Sequence, residues 1–407
     1  VRSETKVSKE VIDAGRKLQV IGRAGVGVDN IDVETATRKG IVVVNAPAGN
    51  IVSAAEHTIA LMLALSRNIP QANALLKSGQ WRRHDLLGIE VRNKTLGIIG
   101  LGNVGSEVAR RAKGLEMHLI GYDPFISIEY ARNLGVEMVS LEELLRKSDF
   151  ITIHTPLTEA TRGLIGAREL AMVKPTVRII NCARGGIVDE KALFEAIEEG
   201  RVAGAAIDVF TEEPAKESSL FKSDKILVTP HLAASTAEAQ TTIALDIAEQ
   251  VIAVLQGQPA RYAVNTPLIS PETLAVIAPF LGVAQQVGRL LSQLAEGQMS
   301  TISIKYEGEI ANYDTGALKA AVIGGLLEAI TEERVNLVNA NIIAQRRGLK
   351  ITEHKDPICE NYGNLITVEV TTSAGETTVA GTVMRGEPHI VRVNSYWIDV
   401  VPRGGYF

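Results

Sequence analysis

Three features of the 407-residue sequence predict an α/β fold built on a doubly wound parallel sheet. Apolar runs of strand length recur through its central part, helical segments separate them, and each run ends in glycine or in a polar cluster. Alternating strands and helices predict a parallel sheet, in which ligands bind beyond the carboxyl ends of the strands. The runs are Leu96–Gly100, Met117–Tyr122, Phe150–His154, Val177–Asn181, Gly204–Ile207 and Ile226–Thr229, and a helix is predicted at Glu190–Glu199.

Length and composition bound the class of protein. A chain of this length with 46% hydrophobic content is long enough for two or three domains. The formal net charge of -5 makes nucleic acid a poor partner. The apolar run Ile59–Leu65 is far shorter than the roughly 20 residues of a membrane span. Cys182 and Cys359 are too few for a disulfide framework and suit a reducing compartment. We therefore expect a cytoplasmic protein without nucleic-acid or membrane partners, and the opening at Val1 leaves an organellar targeting segment open.

A glycine-rich junction follows the first strand of the predicted sheet. Gly100 allows a tight turn, Gly102 lets the backbone approach a pyrophosphate, and Gly105 lets the next helix pack closely on the strand. The unpaired N–H groups of the helix N-terminus at Asn103 and Val104 then face the phosphates. An ordinary glycine turn between strand and helix is the alternative. The junction predicts a Rossmann-type dinucleotide site.

An acidic residue supports this interpretation and indicates which dinucleotide binds. Asp123 ends the second strand, about 20 residues after the glycines, where a carboxylate accepts hydrogen bonds from a ribose diol. It would repel a 2'-phosphate, and Pro124 and Phe125 follow where a compensating arginine would be needed. The sequence therefore favours NAD over NADP.

Three polar residues at strand ends or in the loops that follow carry the predicted chemistry. Interconversion of a 2-hydroxy acid and a 2-keto acid needs a hydride carrier, a proton-exchanging group and a cation that orients the substrate. Arg184 can present a planar fork to a carboxylate, and His231 can exchange a proton near neutral pH. A carboxylate at Glu213 would fix the imidazole tautomer and favour its protonated form. The alternatives are a helix-capping arginine, a structural histidine and a solvated loop acid.

Seven motifs in order resemble the D-isomer-specific 2-hydroxyacid dehydrogenase family, and its long form that oxidises 3-phospho-D-glycerate in particular. The resemblance runs in family order through about residue 265, which makes chance agreement negligible. The motifs are GRAGVGVDNID at Gly22–Asp32, SAAEHTIALMLAL at Ser53–Leu65, GLGNVG at Gly100–Gly105, HTPLT at His154–Thr158, NCARGGIVDE at Asn181–Glu190, DVFTEEP at Asp208–Pro214 and PHLAAST at Pro230–Thr236.

The resemblance assigns roles residue by residue. It implies that Arg184, Glu213 and His231 are catalytic and that Asp208 faces the nicotinamide amide. It implies an NAD site lined by Gly100, Gly102, Asn103, Val104, Gly105, Asp123, Thr155, Cys182, Ala183, Arg184, Asp208, His231, Leu232, Ala233 and Ala234. No metal is implied.

The substrate implied by the resemblance carries both a carboxylate and a phosphate. Arg2, Arg23 and Arg83 match positions that phosphoglycerate enzymes use around the substrate, and three cations suit two anionic groups. Backbone N–H groups of the glycine-rich turn at Ala24, Gly25 and Val26 are expected to meet the carboxylate. An exposed turn is the alternative for Arg83. The implied reaction is NAD-dependent oxidation of 3-phospho-D-glycerate to 3-phosphooxypyruvate, the first step of L-serine biosynthesis.

The resemblance also implies the domain order. Residues 1–48 and 235–264 form part of a flavodoxin-like substrate domain, of which about 50 residues are expected to precede Val1. Residues 49–234 form the NAD-binding domain inserted in it, and 265–395 form a smaller α+β intervening domain. Residues 396–407 would begin an ACT-like regulatory domain. The helix around Ala54–Leu65 packs either at a subunit interface of a homodimer or homotetramer or in the core.

The last third of the sequence has its own pattern. Pro267, Pro271 and Pro279 mark a linker, and glycine turns separate the last three strands. Lys350, Arg385 and Arg392 either help to bind an anionic effector or are ordinary exposed charges. Predicted helices are Phe280–Leu294, Thr315–Ile330 and Thr331–Arg346, and predicted strands are Ser300–Tyr306, Leu365–Thr371, Thr377–Met384 and His389–Val393.

Two other functions stay open at this stage. A glyoxylate or hydroxypyruvate reductase would share the predicted site and differ in substrate. A non-enzymatic NAD sensor of the corepressor type would share the scaffold, since a fold alone does not determine function.

Overall fold

A computed structural model of the chain describes residues 1–2, 4–266, 270–328, 331 and 335–402. Its described residues form two compact units. One unit spans Ala46–Asp246, and the other combines Val1–Asn45 with the chain from Ile247 onward. The divisions therefore fall at 45/46 and 246/247, whereas the sequence placed the boundaries at 48/49 and 234/235, so the second division lies 12 residues later than expected.

The strands and helices are numbered in chain order. The strands are β1 (Val20–Arg23), β2 (Val42–Asn45), β3 (Thr95–Ile99), β4 (His118–Tyr122), β5 (Glu137–Met138), β6 (Phe150–Ile153), β7 (Arg178–Asn181), β8 (Gly204–Ile207), β9 (Ile226–Val228), β10 (Met299–Gly308), β11 (Lys350–Asp356), β12 (Asn364–Thr372), β13 (Gly375–Met384), β14 (Glu387–Val393) and β15 (Tyr396–Val400). The α-helices are α1 (Lys9–Ala14), α2 (Val33–Arg38), α3 (Ile51–Ser66), α4 (Ile69–Lys77), α5 (Asn103–Gly114), α6 (Ile128–Leu134), α7 (Leu141–Lys147), α8 (Ala167–Leu170), α9 (Glu190–Glu198), α10 (Ala237–Leu255), α11 (Pro271–Leu294), α12 (Gly316–Glu328) and α13 (Ala340–Arg346). Short 3-10 helices occur at Arg83–Leu86, Ser219–Lys222 and Glu309–Asn312.

The 46–246 unit is built on a seven-stranded sheet in which every pair is parallel. The strand order is β5-β4-β3-β6-β7-β8-β9, so the chain runs outward from β3 in both directions. This order confirms the predicted doubly wound sheet. The residues of β6 and β8 are buried throughout, which explains why they appear in the sequence as unbroken apolar runs.

Two apolar layers cover this sheet, one on each face. Ile98 packs in a cluster with residues of α3 and α5, whereas its neighbour Ile99 packs in a second cluster with residues of α7 and α9. Successive side chains of a strand point to opposite faces, so the two clusters lie on opposite sides. The buried stripe of α3 therefore belongs to the core of this unit, and a subunit-interface role for its exposed face stays a prediction.

The other unit contains a pair of strands and a mixed sheet. β1 pairs with β2 in parallel over a small core that includes Ile12, Ile21 and Val43. The mixed sheet has the order β11-β10-β12-β13-β14-β15, in which only the β10–β11 pair is parallel. Residues of α11 and α12 cover it with a common apolar core.

Both edge strands of the mixed sheet differ from the sequence expectation. The edge strand β11 has the polar sequence KITEHKD and is largely exposed, so no apolar alternation marks it. β15 pairs with β14, and residues 396–400 therefore complete this sheet rather than begin a regulatory domain. Residues 403–407 of that predicted segment lie outside the described residues.

Two helices in this unit also differ from expectation. α11 begins at Pro271 and includes Pro279, so these prolines do not mark a linker. Pro271 is tolerated in the first turn of the helix because its missing N–H is not needed there, whereas Pro279 lies inside the helix, where proline removes one main-chain hydrogen bond. α13 begins only at Ala340, because side chains of Asn336 and Asn339 bond main-chain N–H groups of the preceding turn. Pro267 and residues 329–330 and 332–334 lie outside the described part.

Among the described residues, the 272–294 part of α11 is long and apolar enough to cross a membrane by length and composition alone. The sequence predicted a helix only at Phe280–Leu294, and the observed helix begins nine residues earlier, at Pro271. Its fully buried residues Ile277, Val283, Val287 and Leu291 recur at helical spacing in the apolar core beside the mixed sheet. This spacing is that of a core helix with one buried face.

Candidate active site

The glycine junction forms the floor of the predicted dinucleotide site. A side chain at Gly105 would place its Cβ 2.0 Å from the Gly100 carbonyl oxygen, so helix α5 can approach β3 this closely only with glycine. At Gly102 a Cβ would meet nothing within 4 Å, and the space above the backbone is open. Asn103 and Val104 begin α5 directly after it. The open backbone and the helix N-terminus fit a pyrophosphate group.

Two polar groups beside this junction fit the remainder of a dinucleotide. Asp123 follows β4, and its oxygens accept hydrogen bonds from the main-chain N–H groups of Leu101 (2.9 Å) and Phe125 (2.8 Å). Each oxygen keeps a lone pair that a ribose hydroxyl can use. The hydroxyl of Thr155 is buried and has no partner among the described residues, as expected of a group that a ligand completes. The residues present therefore fit NAD.

Arg184 lies in the turn after β7. The turn packs closely against the main chain of the 208–213 loop: a Cβ at Gly185 would lie 1.9 Å from the carbonyl oxygen of Phe210, so only glycine fits there. Asn181 donates a hydrogen bond to the Arg184 carbonyl (2.9 Å), and the guanidinium bonds the Ala183 carbonyl (2.6 Å). The positive charge of Arg184 helps to stabilise the Glu213 carboxylate, together with hydrogen bonds from His231 and from the Phe210 N–H.

Glu213 and His231 form the ion pair that the sequence predicted. His231 Nδ1 lies 2.7 Å from Glu213 Oε2, and the other carboxylate oxygen accepts the Phe210 N–H at 3.0 Å. Burial would raise the pKa of the Glu213 carboxyl, but the hydrogen bonds from His231 and Phe210 outweigh burial and hold it below its ordinary value. A carboxylate accepts but cannot donate, so Nδ1 carries a proton and Nε2 is left to exchange one with a substrate.

Asp208 holds the main chain beside His231. Its side chain is fully buried, and its oxygens accept hydrogen bonds from the N–H groups of Leu232 (2.7 Å) and Ala233 (3.0 Å). The Asp208 carbonyl accepts the N–H of His231 itself (2.8 Å). The predicted cofactor residue Asp208 therefore holds three others in one turn, His231, Leu232 and Ala233, and Ala234 follows them directly.

The sequence reading missed one member of this cluster, His57 of α3. Its Nε2 lies 3.2 Å from Asp208 Oδ1 and 3.3 Å from the hydroxyl of Thr229. One available signal was the polar pair Ser53 and His57, which lie one helical turn apart on an apolar helix and therefore share a face. Ser53 bonds the hydroxyl of Thr236, so both residues reach the 229–236 segment.

Cys182 lies beside the same cluster. Burial, with the nearby charge of Asp208, raises the pKa of its thiol to about 12, so it is a neutral thiol at physiological pH. Donor atoms of His57, Cys182 and Asp208 lie within 4.8 Å of one another. Burial disfavours the thiolate that a metal would require, and Asp208 Oδ1 already accepts hydrogen bonds from the Thr229 hydroxyl and the Leu232 N–H. The cluster therefore suits a hydrogen-bond network better than a metal.

The predicted substrate residues are divided between the two units. Arg83 is exposed in the 3-10 helix of the 46–246 unit. Arg2 and the 23–26 segment belong to the other unit, where β1 ends at Arg23. Arg23 bonds the Ala24 carbonyl at 2.8 Å, and Gly25 has a φ of 144° that favours glycine. The phosphate and carboxylate contacts of these residues stay predictions.

The three cations predicted for an effector do not form one cluster. Lys350 begins the edge strand β11, whereas Arg385 lies in the turn between β13 and β14, three strands away in the sheet order. Arg392 stacks over the Trp397 ring at 5.7 Å and bonds the Asn394 carbonyl at 2.7 Å. The separation of Lys350 from the other two disfavours a shared anion site and agrees with exposed charges.

Comparisons with known proteins identify the family. The D-isomer specific 2-hydroxyacid dehydrogenase NAD binding domain matches residues 59–233. The D-3-phosphoglycerate dehydrogenase intervening domain matches residues 276–394. The first match lies within the 46–246 unit, and the second lies within the other unit.

Individual relatives extend over the whole chain. The D-3-phosphoglycerate dehydrogenase of Synechocystis sp. is 48% identical over 404 residues, which cover 99% of this chain and 73% of the relative. That of Archaeoglobus fulgidus is 47% identical over 100% of this chain and 77% of the relative. Among solved structures, D-lactate dehydrogenase from Aquifex aeolicus complexed with NAD and lactic acid has a TM-score of 0.58 and 30% identity, over 63% of this chain and 82% of that chain.

The chain belongs to the D-3-phosphoglycerate dehydrogenase family, within the D-isomer-specific 2-hydroxyacid dehydrogenases. It is an NAD-dependent oxidoreductase. The predicted family, fold class, enzyme class and cofactor are confirmed. The roles of individual residues stay predictions.

Proposed function

We propose that this chain oxidises 3-phospho-D-glycerate to 3-phosphooxypyruvate with NAD, the first step of L-serine biosynthesis. The observation that carries the proposal is the Glu213–His231 pair, with 2.7 Å between carboxylate and imidazole, beside the Arg184 turn. The similarity to D-3-phosphoglycerate dehydrogenases of bacteria and archaea, over at least 99% of this chain and 73–77% of the relatives, supports the substrate.

His231 acts as the proton acceptor. In the oxidation, the substrate loses its hydroxyl proton and the hydrogen on C2, and His231 Nε2 takes the proton as the carbonyl forms. Glu213 stabilises the imidazolium that results, because its carboxylate already bonds Nδ1. In the reverse direction the same imidazolium returns the proton.

Arg184 orients the substrate. A guanidinium presents paired N–H donors to a carboxylate and to the adjacent oxygen, which aligns C2 and stabilises negative charge on that oxygen. The close packing of Gly185 against the main chain of Phe210 and Thr211 restricts the main chain that carries Arg184.

When bound, NAD supplies the electron-pair acceptor of this reaction. Gly102, Asn103 and Val104 would hold the pyrophosphate, Asp123 the ribose diol and Asp208 the carboxamide. The lining of the proposed NAD site is completed by Gly100, Gly105, Thr155, Cys182, Ala183 and the 232–234 turn. Arg2, Arg23 and Arg83 would bind the substrate phosphate, and the 24–26 turn would bind its carboxylate. We also propose a cytoplasmic homodimer or homotetramer without nucleic-acid or membrane partners.

The reaction is tested with a variant that removes the proton acceptor. His231→Ala should lower the turnover of 3-phospho-D-glycerate by a factor of about 100 or more, the lower end of the range for one general base. Its dissociation constant for NADH, measured by fluorescence titration, should stay within about threefold of wild type, because the other residues that line the proposed NAD site are unchanged.

Three results would contradict the proposal. Equal loss of turnover and NADH affinity would mean that His231 mainly binds the cofactor. A wild-type chain that binds NADH but turns over no hydroxy acid would favour an NAD sensor. Faster turnover of glyoxylate or hydroxypyruvate than of 3-phosphooxypyruvate would favour the related reductases.

A further inference from the structure

The nitrogen of His57 reaches the buried end of the site from the middle of α3. Its side chain is 19% exposed, and its Nε2 contacts Asp208 Oδ1 and the Thr229 hydroxyl at 3.2 and 3.3 Å. These contacts join residues 151 and 172 positions apart in the sequence. The histidine therefore connects helix α3 to the strand-end segment that carries His231.

The partners of His57 determine where its proton lies. Burial would raise the pKa of the Asp208 carboxyl, but hydrogen bonds from His57, Thr229 and the Leu232 N–H outweigh burial and keep it below its ordinary value. Asp208 is therefore an anion that only accepts. The single hydroxyl proton of Thr229 is directed at Asp208 over 2.6 Å. The Nε2 of His57 must then carry a hydrogen and donate it to both oxygens.

The carboxylate that His57 contacts holds a strained turn. His231 has a φ of 54°, a left-handed conformation that is uncommon for any residue other than glycine. The Asp208 side chain accepts the next two N–H groups, those of Leu232 and Ala233. The orientation of His231 therefore depends on the orientation of Asp208.

His57 differs from the other donors to Asp208 in where it comes from. The two backbone N–H groups belong to the turn that Asp208 holds, and Thr229 lies in the same strand-end segment, whereas His57 reaches Asp208 from helix α3. A fully buried carboxylate is costly unless hydrogen bonds compensate it. The N–H of His57 therefore anchors Asp208 from outside the 229–233 segment.

We propose that His57 is a positioning residue, which holds the buried Asp208 carboxylate in the orientation that fixes the 231–233 turn and leaves a lone pair of Oδ2 for the cofactor. The catalytic consequence rests on the proposed function, because His231 must face the substrate hydroxyl. The structural consequence does not depend on which substrate is used.

Three substitutions of His57 test whether a hydrogen-bond donor at the position of Nε2 is what the site requires. His57→Ala removes the donor and should lower kcat about tenfold, the lower end of the effect of one hydrogen bond to a charged group, with a smaller change in KM for the hydroxy acid. His57→Gln places an amide N–H near the position of Nε2 and should recover kcat to within about threefold of wild type. His57→Asn is too short and should resemble His57→Ala. Glu56→Gln, at an exposed neighbour on the same helix, should match wild type.

Two further measurements test the route through Asp208. Amide hydrogen exchange of Leu232 and Ala233 without cofactor should speed up about tenfold in His57→Ala and return toward wild type in His57→Gln. If His57 acts through Asp208, adding His57→Ala to an Asp208→Asn chain should lower kcat less than twofold further.

The proposal is overturned if His57→Gln is as impaired as His57→Ala, if exchange at 232–233 is unchanged, or if the two substitutions reduce kcat independently. The exchange result stands even if wild type fails to oxidise 3-phospho-D-glycerate. A failure of the proposed function is thereby distinguished from a failure of this inference.

Discussion

Replacement of Glu213 by glutamine tests the ion pair at the centre of the site. The carboxylate accepts two hydrogen bonds, from His231 Nδ1 at 2.7 Å and from the Phe210 N–H at 3.0 Å. A glutamine amide has one oxygen and one NH2 group, so one of these two donors loses its acceptor. The negative charge that stabilises an imidazolium at His231 is lost as well.

The size of the effect follows from the geometry. Unit charges about 4 Å apart attract by about 4 kcal/mol at an effective dielectric constant of 20. The side chains of His231 and Glu213 are 30% and 32% exposed, so we take roughly half of this after solvent screening. About 2 kcal/mol corresponds to a decrease in kcat of about 30-fold.

The assay is steady-state NADH formation from 3-phospho-D-glycerate, with NADH affinity measured separately. Glu213→Gln should lower kcat about 30-fold and leave NADH affinity within about threefold, since Glu213 is outside the proposed cofactor lining. Glu212→Gln, at the exposed neighbouring position, is the matched control and should retain full activity. Equal kcat in the two variants, or a loss confined to KM, would refute the reasoning.

The same geometry makes four further predictions. Gly102→Ala should weaken NADH binding about tenfold or more but change the free energy of unfolding by less than about 0.5 kcal/mol, since its Cβ meets only open space. Gly105→Ala should instead destabilise the fold by about 2 kcal/mol or more, because its Cβ would lie 2.0 Å from the Gly100 carbonyl oxygen. Urea unfolding of the Gly102→Ala and Gly105→Ala variants measures the difference, and equal free energies of unfolding would contradict it. Asp123→Ser should lower the ratio of kcat/KM for NAD over NADP about tenfold or more, and an unchanged ratio would exclude the ribose contact. The folded-state pKa of Asp208 lies below its ordinary value of 3.8, so the contribution of this carboxylate to stability is present above pH 3.8 and is lost as the pH falls through the folded-state pKa. The urea midpoint of the wild-type chain should therefore decrease below about pH 4, and that of Asp208→Asn should decrease less. Parallel decreases in the two chains would contradict this.

The central sheet and the main catalytic residues could be predicted because their signals are local. β6 and β8 are buried throughout, so each appears in the sequence as a continuous apolar run. Arg184 and His231 follow strands, and a parallel sheet gathers the carboxyl ends of its strands at one edge. The pairing of His231 with Glu213 therefore followed from sequence order and chemistry.

Other features depend on contacts that no local pattern announces. The strand β11 is polar and lies at a sheet edge, so the alternation that reveals half-buried strands is missing. α13 begins later than expected because asparagine side chains bond the preceding backbone. The role inferred for His57 depends on a contact with Asp208 across 151 positions, which is set by how α3 packs on the sheet.

The substrate specificity of the chain is measured most directly by comparing kcat/KM for 3-phospho-D-glycerate, D-glycerate and D-lactate under identical NAD concentrations. Arginine contacts to a phosphate predict a preference of about 100-fold or more for the phosphorylated acid. Equal or higher kcat/KM for D-glycerate or D-lactate would contradict the proposed function and would remove the reason for assigning a phosphate to Arg2, Arg23 and Arg83.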